Sequence, residues 1–356
     1  MNVPKLRFKE FNDNYLRLKY KDVLKIKSGK DQKQVECENG IYPILGTGGQ
    51  IGKTNSFLYD KPSVLIGRKG TINKPQYMET PFWTVDTLFY SHIYEPNIPK
   101  YLFYSFQNVN WKKYDESTGV PSLSSSTIEG VDCNIPSKEE QLKVANFISL
   151  LDKKIELQSK KIEDLKLFKK GLILSLKKNS FDWHTVCIKD LFKITRGVVI
   201  PKNELSEFKS GEYKYPVYSS QTSNQGVLGY SDTFDFNGKY LTWTTDGANA
   251  GKVFYRNGKF RCTNVCGVLY EDNIKFTNEL FAELLNYETP KHVSYVGNPK
   301  LMNNIMANIK IKIPSNEIQE NISLVINTIN HKVNLETNKL LKLQELKKGL
   351  MQSMFV

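Results

Sequence analysis

Apolar residues recur at alternating three- and four-residue steps in two stretches of the chain. In the first they are Ile148, Leu151, Ile155, Ile162, Leu165 and Leu172, and in the second Ile326, Ile329, Val333, Leu340, Leu343 and Leu350. This spacing is the seam of a coiled coil, and it predicts one long helix over 136–180 and another over 314–356. Both seams are interrupted at the same places, by Gln158 and Glu336 and again by Lys169 and Lys347. Polar layers of that kind fix register or partner; the alternative is a bent seam whose polar side chains snorkel to water. Ser137 with Glu140 makes a capping box for the first helix, whereas Ser315 lacks the acidic partner three residues on.

The two helices belong to an internal repeat. The segment that begins IPSKEEQ at Ile135 aligns without a gap to the segment that begins IPSNEIQ at Ile313, an offset of 178. The alignment matches Pro136 to Pro314, Gln141 to Gln319, and Lys169-Lys170-Gly171-Leu172 to Lys347-Lys348-Gly349-Leu350. Upstream, GVPSL from Gly119 matches GNPKL from Gly297, a shared G-x-P-x-L. KDVLKIKSG ending at Gly29 resembles KDLFKITRG ending at Gly197. A repeat fixes architecture before any element is assigned, so the chain reads as two copies of one unit, each a variable domain followed by a helix.

Residues 1–135 and 181–313 carry a different pattern. Short β-branched and aromatic runs, such as FWTVDTLFYSHIY and KYLTWTTDGANAGKVFY, are separated by Gly, Asn, Asp and Pro turns, the signature of mostly β domains. Short helices are expected across Lys100–Asn110 and Thr277–Tyr287. The first long helix would extend about 60 Å at 1.5 Å per residue, while a domain of this size is roughly 35–40 Å across. The second helix is therefore expected to run antiparallel to the first, with one domain at each end of a rod.

Near the turns, basic and aromatic residues are interleaved: Arg68, Lys69, Lys74 and Tyr77; Lys112, Lys113 and Tyr114 after Trp111; Arg256, Lys259 and Arg261; Lys291 and His292. Lysine and arginine neutralise phosphates, while Arg, Asn, Gln and Ser reach base edges. On that ground the candidate DNA-contacting set also takes in Gln50 and Lys53 of GTGGQIGK, and Ser220, Gln221 and Thr222 of the corresponding loop SSQTSNQGVLG. Asn249, and Ser122 and Lys300 of the two G-x-P-x-L segments, complete it. GTGGQIGK lacks the G-x-x-x-x-G-K-[ST] spacing of a phosphate loop and sits in a predicted β-turn.

Charge narrows the class of partner. Over 356 residues the formal net charge is +13, spread over all four segments, so a positive field favours a polyanionic partner without a disordered basic tail. Hydrophobic residues at 40% and charged residues at 24% suit a folded chain. No apolar run reaches the roughly 20 residues that span a bilayer, and MNVPKLRFKEFNDN does not read as a signal peptide; a cytoplasmic location is expected. The five cysteines are too scattered for a disulfide scaffold. Cys262 and Cys266 are read as one face of a β-like run, packed in the core.

Catalytic motifs are missing. No Asn/Asp-Pro-Pro-aromatic tetrapeptide is present to hold a flipped adenine, no Walker A motif, and four dispersed histidines. Glu345 and Lys347, a minimal Glu-x-Lys, fall on the predicted second helix and are read as its surface.

The duplicated G-x-P-x-L, IPS-x-x-x-Q and KKGL blocks, each preceded by a variable domain, resemble the specificity subunit of type I restriction–modification enzymes. The expected fold class is α+β: two mostly β target-recognition domains separated by two long antiparallel coiled-coil helices, with an internal pseudo-twofold repeat. The resemblance implies that domain 1–135 and domain 181–313 each read one half of a split double-stranded DNA target. It also implies that helices 136–180 and 314–356 set the spacing and dock two methyltransferase (modification) subunits. Restriction/translocase subunits would join the full complex. The chain itself would bind no metal or cofactor, S-adenosylmethionine and ATP belonging to the partners. A coiled-coil protein-binding adaptor without DNA specificity is the alternative.

Overall fold

A computed structural model describes residues 3–178 and 183–355. The chain divides into two compact units, one formed by Met1–Ser159 with Asn338–Val356 and the other by Lys160–Thr337. Each unit thus contains a β-rich domain together with part of both long helices. The expected boundary between residues 180 and 181 lies outside the described residues.

In the first unit, Leu16–Lys19 pairs antiparallel with Asp132–Ile135, closing the ends of the β domain on each other. A four-stranded sheet has the order Leu24–Ser28, Leu88–Ile93, Ser63–Gly67, Gln76–Met78. A second sheet orders Gly49–Thr54, Tyr42–Gly46 and Trp83–Thr84, the last pair parallel. Helix Pro99–Asn108 begins at a proline, whose fixed φ and missing N–H suit the first turn, and buries Tyr101, Leu102, Tyr104 and Phe106.

The second unit repeats the plan. His184–Cys187 pairs antiparallel with Lys310–Ile313, as Leu16–Lys19 does with Asp132–Ile135. One six-stranded sheet runs Lys193–Arg196, Cys266–Tyr270, Phe236–Thr244, Val253–Cys262, Tyr215–Tyr218, Val227–Ser231. Tyr215–Tyr218 lies parallel to Val253–Cys262, as Tyr42–Gly46 does to Trp83–Thr84. Helix Glu279–Glu288 is capped by Asn278, whose side chain accepts from the Phe281 N–H. A Cβ at Gly29 would collide with the Val85 carbonyl and one at Gly197 with the Cys262 carbonyl, so the KDxxKIxxG pair ends at a glycine for the same steric reason in each copy. Cys262 and Cys266 are both buried, but they stand on two strands joined by a turn, on either side of Phe236–Thr244 in the sheet, rather than on the single run expected.

The long helices are Lys138–Lys178 and Asn316–Met354. Within the second unit, Lys161 pairs with Glu336 at 3.0 Å and Lys169 donates to Asn330 at 2.9 Å, so one helix descends in number as the other rises. Within the first unit, Lys347 pairs with Asp152 at 2.6 Å, while Met351, Met354 and Phe355 share a core with Val144, Ala145 and Ile148. The helices are antiparallel in both units. Every predicted seam residue is buried or half-buried. The interruptions are polar layers with partners: Glu336 is buried under Lys161, and Lys169–Asn330 and Lys347–Asp152 are the same contact in the two repeats. Lys347 is therefore a paired seam residue, not free helix surface.

The IPS-x-x-x-Q motif also has a physical basis. Gln141 donates to the Pro136 carbonyl at 3.0 Å and Gln319 to the Pro314 carbonyl at 2.9 Å, so the glutamine ties each helix start to the strand before it. The Glu140 N–H donates to the Ser137 hydroxyl. The Glu140 carboxylate does not close the capping box; it accepts two bonds from Arg7 and one from Tyr15.

Since Ile148 is fully buried where helix and domain meet, Ile148→Ala is expected to destabilise the first unit by about 2–5 kcal/mol, the range for emptying a core aliphatic site. Denaturant unfolding measures it, and a loss under about 1 kcal/mol would show that the helix does not complete this core.

Candidate DNA-recognition surfaces

In each domain a pair of loops is locked together by the G-x-P-x-L motif. In the first, the Gly70 N–H donates to the Pro121 carbonyl at 2.8 Å and the Leu123 N–H to the Arg68 carbonyl at 2.9 Å. In the second, the Gly247 N–H donates to Pro299 at 2.9 Å and the Leu301 N–H to Thr245 at 2.9 Å. Gly70 and Gly247 both hold φ near +90° (87° and 91°), a conformation that costs other L-residues about 1–2 kcal/mol. Leu123 and Leu301 anchor the second loop in the core. Between these fixed points Lys69 bridges to Ser122 and Asp246 to Lys300. One backbone frame carries different side chains in the two copies.

The frame brings together Arg68, Lys69 and Ser122 in the first domain. The Tyr42–Gly46 and Gly49–Thr54 hairpin comes close to it, because Thr47 lies 3.8 Å from a Cβ built at Gly70 and Gln76 donates to the Gly46 carbonyl at 2.9 Å. Gln50 and Lys53 stand exposed on the hairpin arm. The predicted turn is the hairpin tip, with Gly49 at φ 115°. Lys112, Lys113 and Tyr114 are exposed on a 3₁₀ turn held by buried Trp111, immediately before a loop that Asp115 fastens by accepting from the Ser117 and Ser122 N–H groups. Those bonds hold the Asp115 carboxyl below the usual range. Lys74 is exposed. Tyr77 is not: half-buried, it packs on Phe103 beneath the Lys100 ammonium.

In the second domain Lys300 and Asn249 are exposed on the framed loops. Ser220, Gln221 and Thr222 are half-buried in a loop closed by Ser219 N–H to the Gly226 carbonyl. This loop turns through Asn224, Gln225 and Gly226, all at positive φ. Lys259 is exposed over Phe234. Lys291 pairs with Glu288 at 3.0 Å and His292 lies 3.9 Å from the same residue, both exposed.

Two expected contacts are corrected. Arg256 and Arg261 are buried. Arg256 lies over Tyr218 and Phe254 and donates to Thr242; Arg261 pairs with Glu204 and Asp235. Their strand is central in the sheet, paired on both edges by Phe236–Thr244 and Tyr215–Tyr218, rather than part of an exposed turn. Sequence reasoning missed Arg196, which reaches Thr245 and Asp246 at the framed loop, and Asp246 itself.

A family model described as "Type I restriction modification DNA specificity domain" matches residues 12–167 and again 181–345. The chain belongs to this family, and does so twice over. Among curated relatives from Mycoplasma pneumoniae, a putative type I specificity subunit, S.MpnORF365P, is 34% identical over 224 residues, covering 60% of this chain and 81% of the relative. Another, "S.MpnORF289P N-terminus", is 44% identical over 145 residues, covering 40% and 76%. The longer S.MpnORF507P is matched over 39% of its length. The crystal structure of a type I restriction–modification S subunit from M. genitalium superimposes with a TM-score of 0.74 over 99% of both chains at 16% identity, a likeness of fold. The specificity-domain repeat coincides with the two framed loop pairs.

Gly70→Ala and Gly247→Ala should each cost about 1–2 kcal/mol, since the added methyl meets Thr47 at ordinary contact distance in one and open space in the other, and the strain is in the backbone alone. Equal, small losses in denaturant unfolding are expected; no loss at either position would contradict the shared frame.

Proposed function

We propose that this chain supplies the DNA sequence specificity of a type I restriction–modification complex, each recognition domain reading one half of a bipartite double-stranded target. The observation that carries this is the duplicated loop frame, in which Gly, Pro and Leu hold the backbone while Arg68, Lys69 and Ser122 in one copy become Thr245, Asp246 and Lys300 in the other. A constant frame with exchanged polar side chains is what two different half-sites require, because base edges are told apart by donor and acceptor pattern. The net charge of +13 supplies the sequence-independent part of the attraction.

The long helices carry a second duplicated feature. Outside the seam, Leu157 and Phe168 are 58% and 62% exposed, and their counterparts Leu335 and Leu346 are 47% and 50% exposed. Gly171 and Gly349 follow at the same step, with nothing within 4 Å of a built Cβ. Glycine inside a helix costs up to about 1 kcal/mol against alanine, and among the described residues no close contact at either glycine repays it. Two equivalent apolar stripes with a close-approach point suit two copies of one partner, and we assign them to two methyltransferase subunits. Those partners would hold S-adenosylmethionine and perform the adenine chemistry, and restriction/translocase subunits would use ATP. The chain acts as their non-catalytic reader in the cytoplasm; no described helix is long and apolar enough to cross a membrane.

Exchanging residues 1–135 for the equivalent domain of a relative, and mapping methylation by the assembled complex, is expected to change one half-site and preserve the other. Change in both halves would contradict independent reading, and change in neither would favour the protein-binding adaptor.

A further inference from the structure

Two cavities occupy equivalent places in the two repeats. In the second unit, one of about 490 Å³ is walled by Lys166, Lys169, Lys170 and Ile173 of the first long helix. In the first unit, one of about 360 Å³ is walled by Gln344, Lys347, Lys348 and Met351 of the second long helix. The two sets are related position by position through the offset of 178. The facing wall comes from the recognition domain in both, Asn286 and Tyr287 in one and Gln107 and Asn108 in the other. The duplicated lysine pair of KKGL therefore borders a cavity against the reading domain.

The cavity of the second unit is strongly basic. Lys252 joins the three helix lysines, and the single acid is Glu283, already paired with Lys169 at 2.5 Å. Among the described residues, no carboxylate lies within ion-pairing distance of Lys166, Lys170 or Lys252. Burial in the wall, then the neighbouring Lys169 and Lys166, hold the Lys252 ammonium below the usual lysine range, against the pull of Glu283. An adjoining cavity of about 250 Å³ shares Lys169, Lys252, Glu283 and Asn286 and reaches Gln225, in the positive-φ turn of the polar loop. A groove thus leads from a candidate reading loop to a cluster of unneutralised cations.

We propose that this groove holds the sugar–phosphate backbone of DNA beside the half-site read by the second domain, with Lys166, Lys170 and Lys252 neutralising successive phosphates. The inference rests on the DNA-reading role above. A linear polyanion fits better than an isolated carboxylate because three free ammonium groups line one open channel that continues into the loop. Such contacts position the duplex and carry no sequence information. The first unit's cavity is the weaker version, since Lys347 is engaged by Asp152 and only Lys348 is added to glutamine and asparagine.

The test is equilibrium binding of the full chain to a random-sequence duplex across a NaCl series. Replacing Lys166, Lys170 and Lys252 together by Gln is expected to reduce the slope of log K against log[NaCl] by about 2–3, at roughly 0.9 per phosphate contact, and to weaken binding about 10- to 100-fold near 0.1 M salt. The methylation motif of the assembled complex should stay unchanged. Replacing the same three by Arg should preserve the slope, and Gln at the exposed Lys153, Lys154 and Lys160 should change it by less than half as much. Equal effects of the two Gln triples would overturn the groove, leaving only a general field. So would a wild-type slope in a cavity variant that no longer co-purifies with a methyltransferase subunit, which would make the cavity a protein socket. A wild-type chain that binds no duplex would overturn both this proposal and the DNA-reading role.

Discussion

Neither recognition domain closes its core without residues from both long helices. In the first unit the domain packs against Val144, Ala145 and Ile148 near the start of one helix and Met351, Met354 and Phe355 at the end of the other; in the second, Ile173 and Ile326 do the same from the opposite helix ends. Burial on this scale is the main favourable term in folding, so the antiparallel course of the helices is imposed by the cores as well as by the seam. The polar layers then favour this register: a one-step slip would separate buried Glu336 from Lys161 and Lys169 from Asn330.

That scaffold explains how a chain can repeat its backbone and vary its reading. Strand closure, the glycine at each KDxxKIxxG end, the glutamine that ties each helix to its strand and the Gly–Pro bond of the framed loops recur with matching geometry. The exposed side chains on the frame do not recur. Separation of constant frame from variable surface is the physical requirement for a protein that reads two unlike half-sites with one fold.

The repeat, the helices and their seam were legible in the sequence because they depend on local periodicity and on spacing that survives duplication. Pro99–Asn108 and Glu279–Glu288 fall within about two residues of the expected short helices. The surface was less legible. Arg256 and Arg261 sit among apolar residues of a ten-residue strand rather than in a turn, and whether such a strand is central or at an edge depends on pairing with distant segments. The framed loops, the role of Asp246 and the lysine cavity likewise depend on contacts between residues about 50 or more positions apart, which composition and periodicity do not encode. The G-x-P-x-L motif was visible as a repeat, while its function as a clasp emerged only with its Pro carbonyl placed on Gly70 or Gly247 of the facing loop.

If this chain selects the methylated sequence, methylation of a split motif must depend on its presence. Genome-wide adenine-methylation mapping in a methylation-deficient host, expressing the neighbouring methyltransferase with and without this chain, tests it most directly. A split motif that appears only when the chain is present is the result predicted. Methylation that is absent in both cases, or identical without the chain, would contradict it.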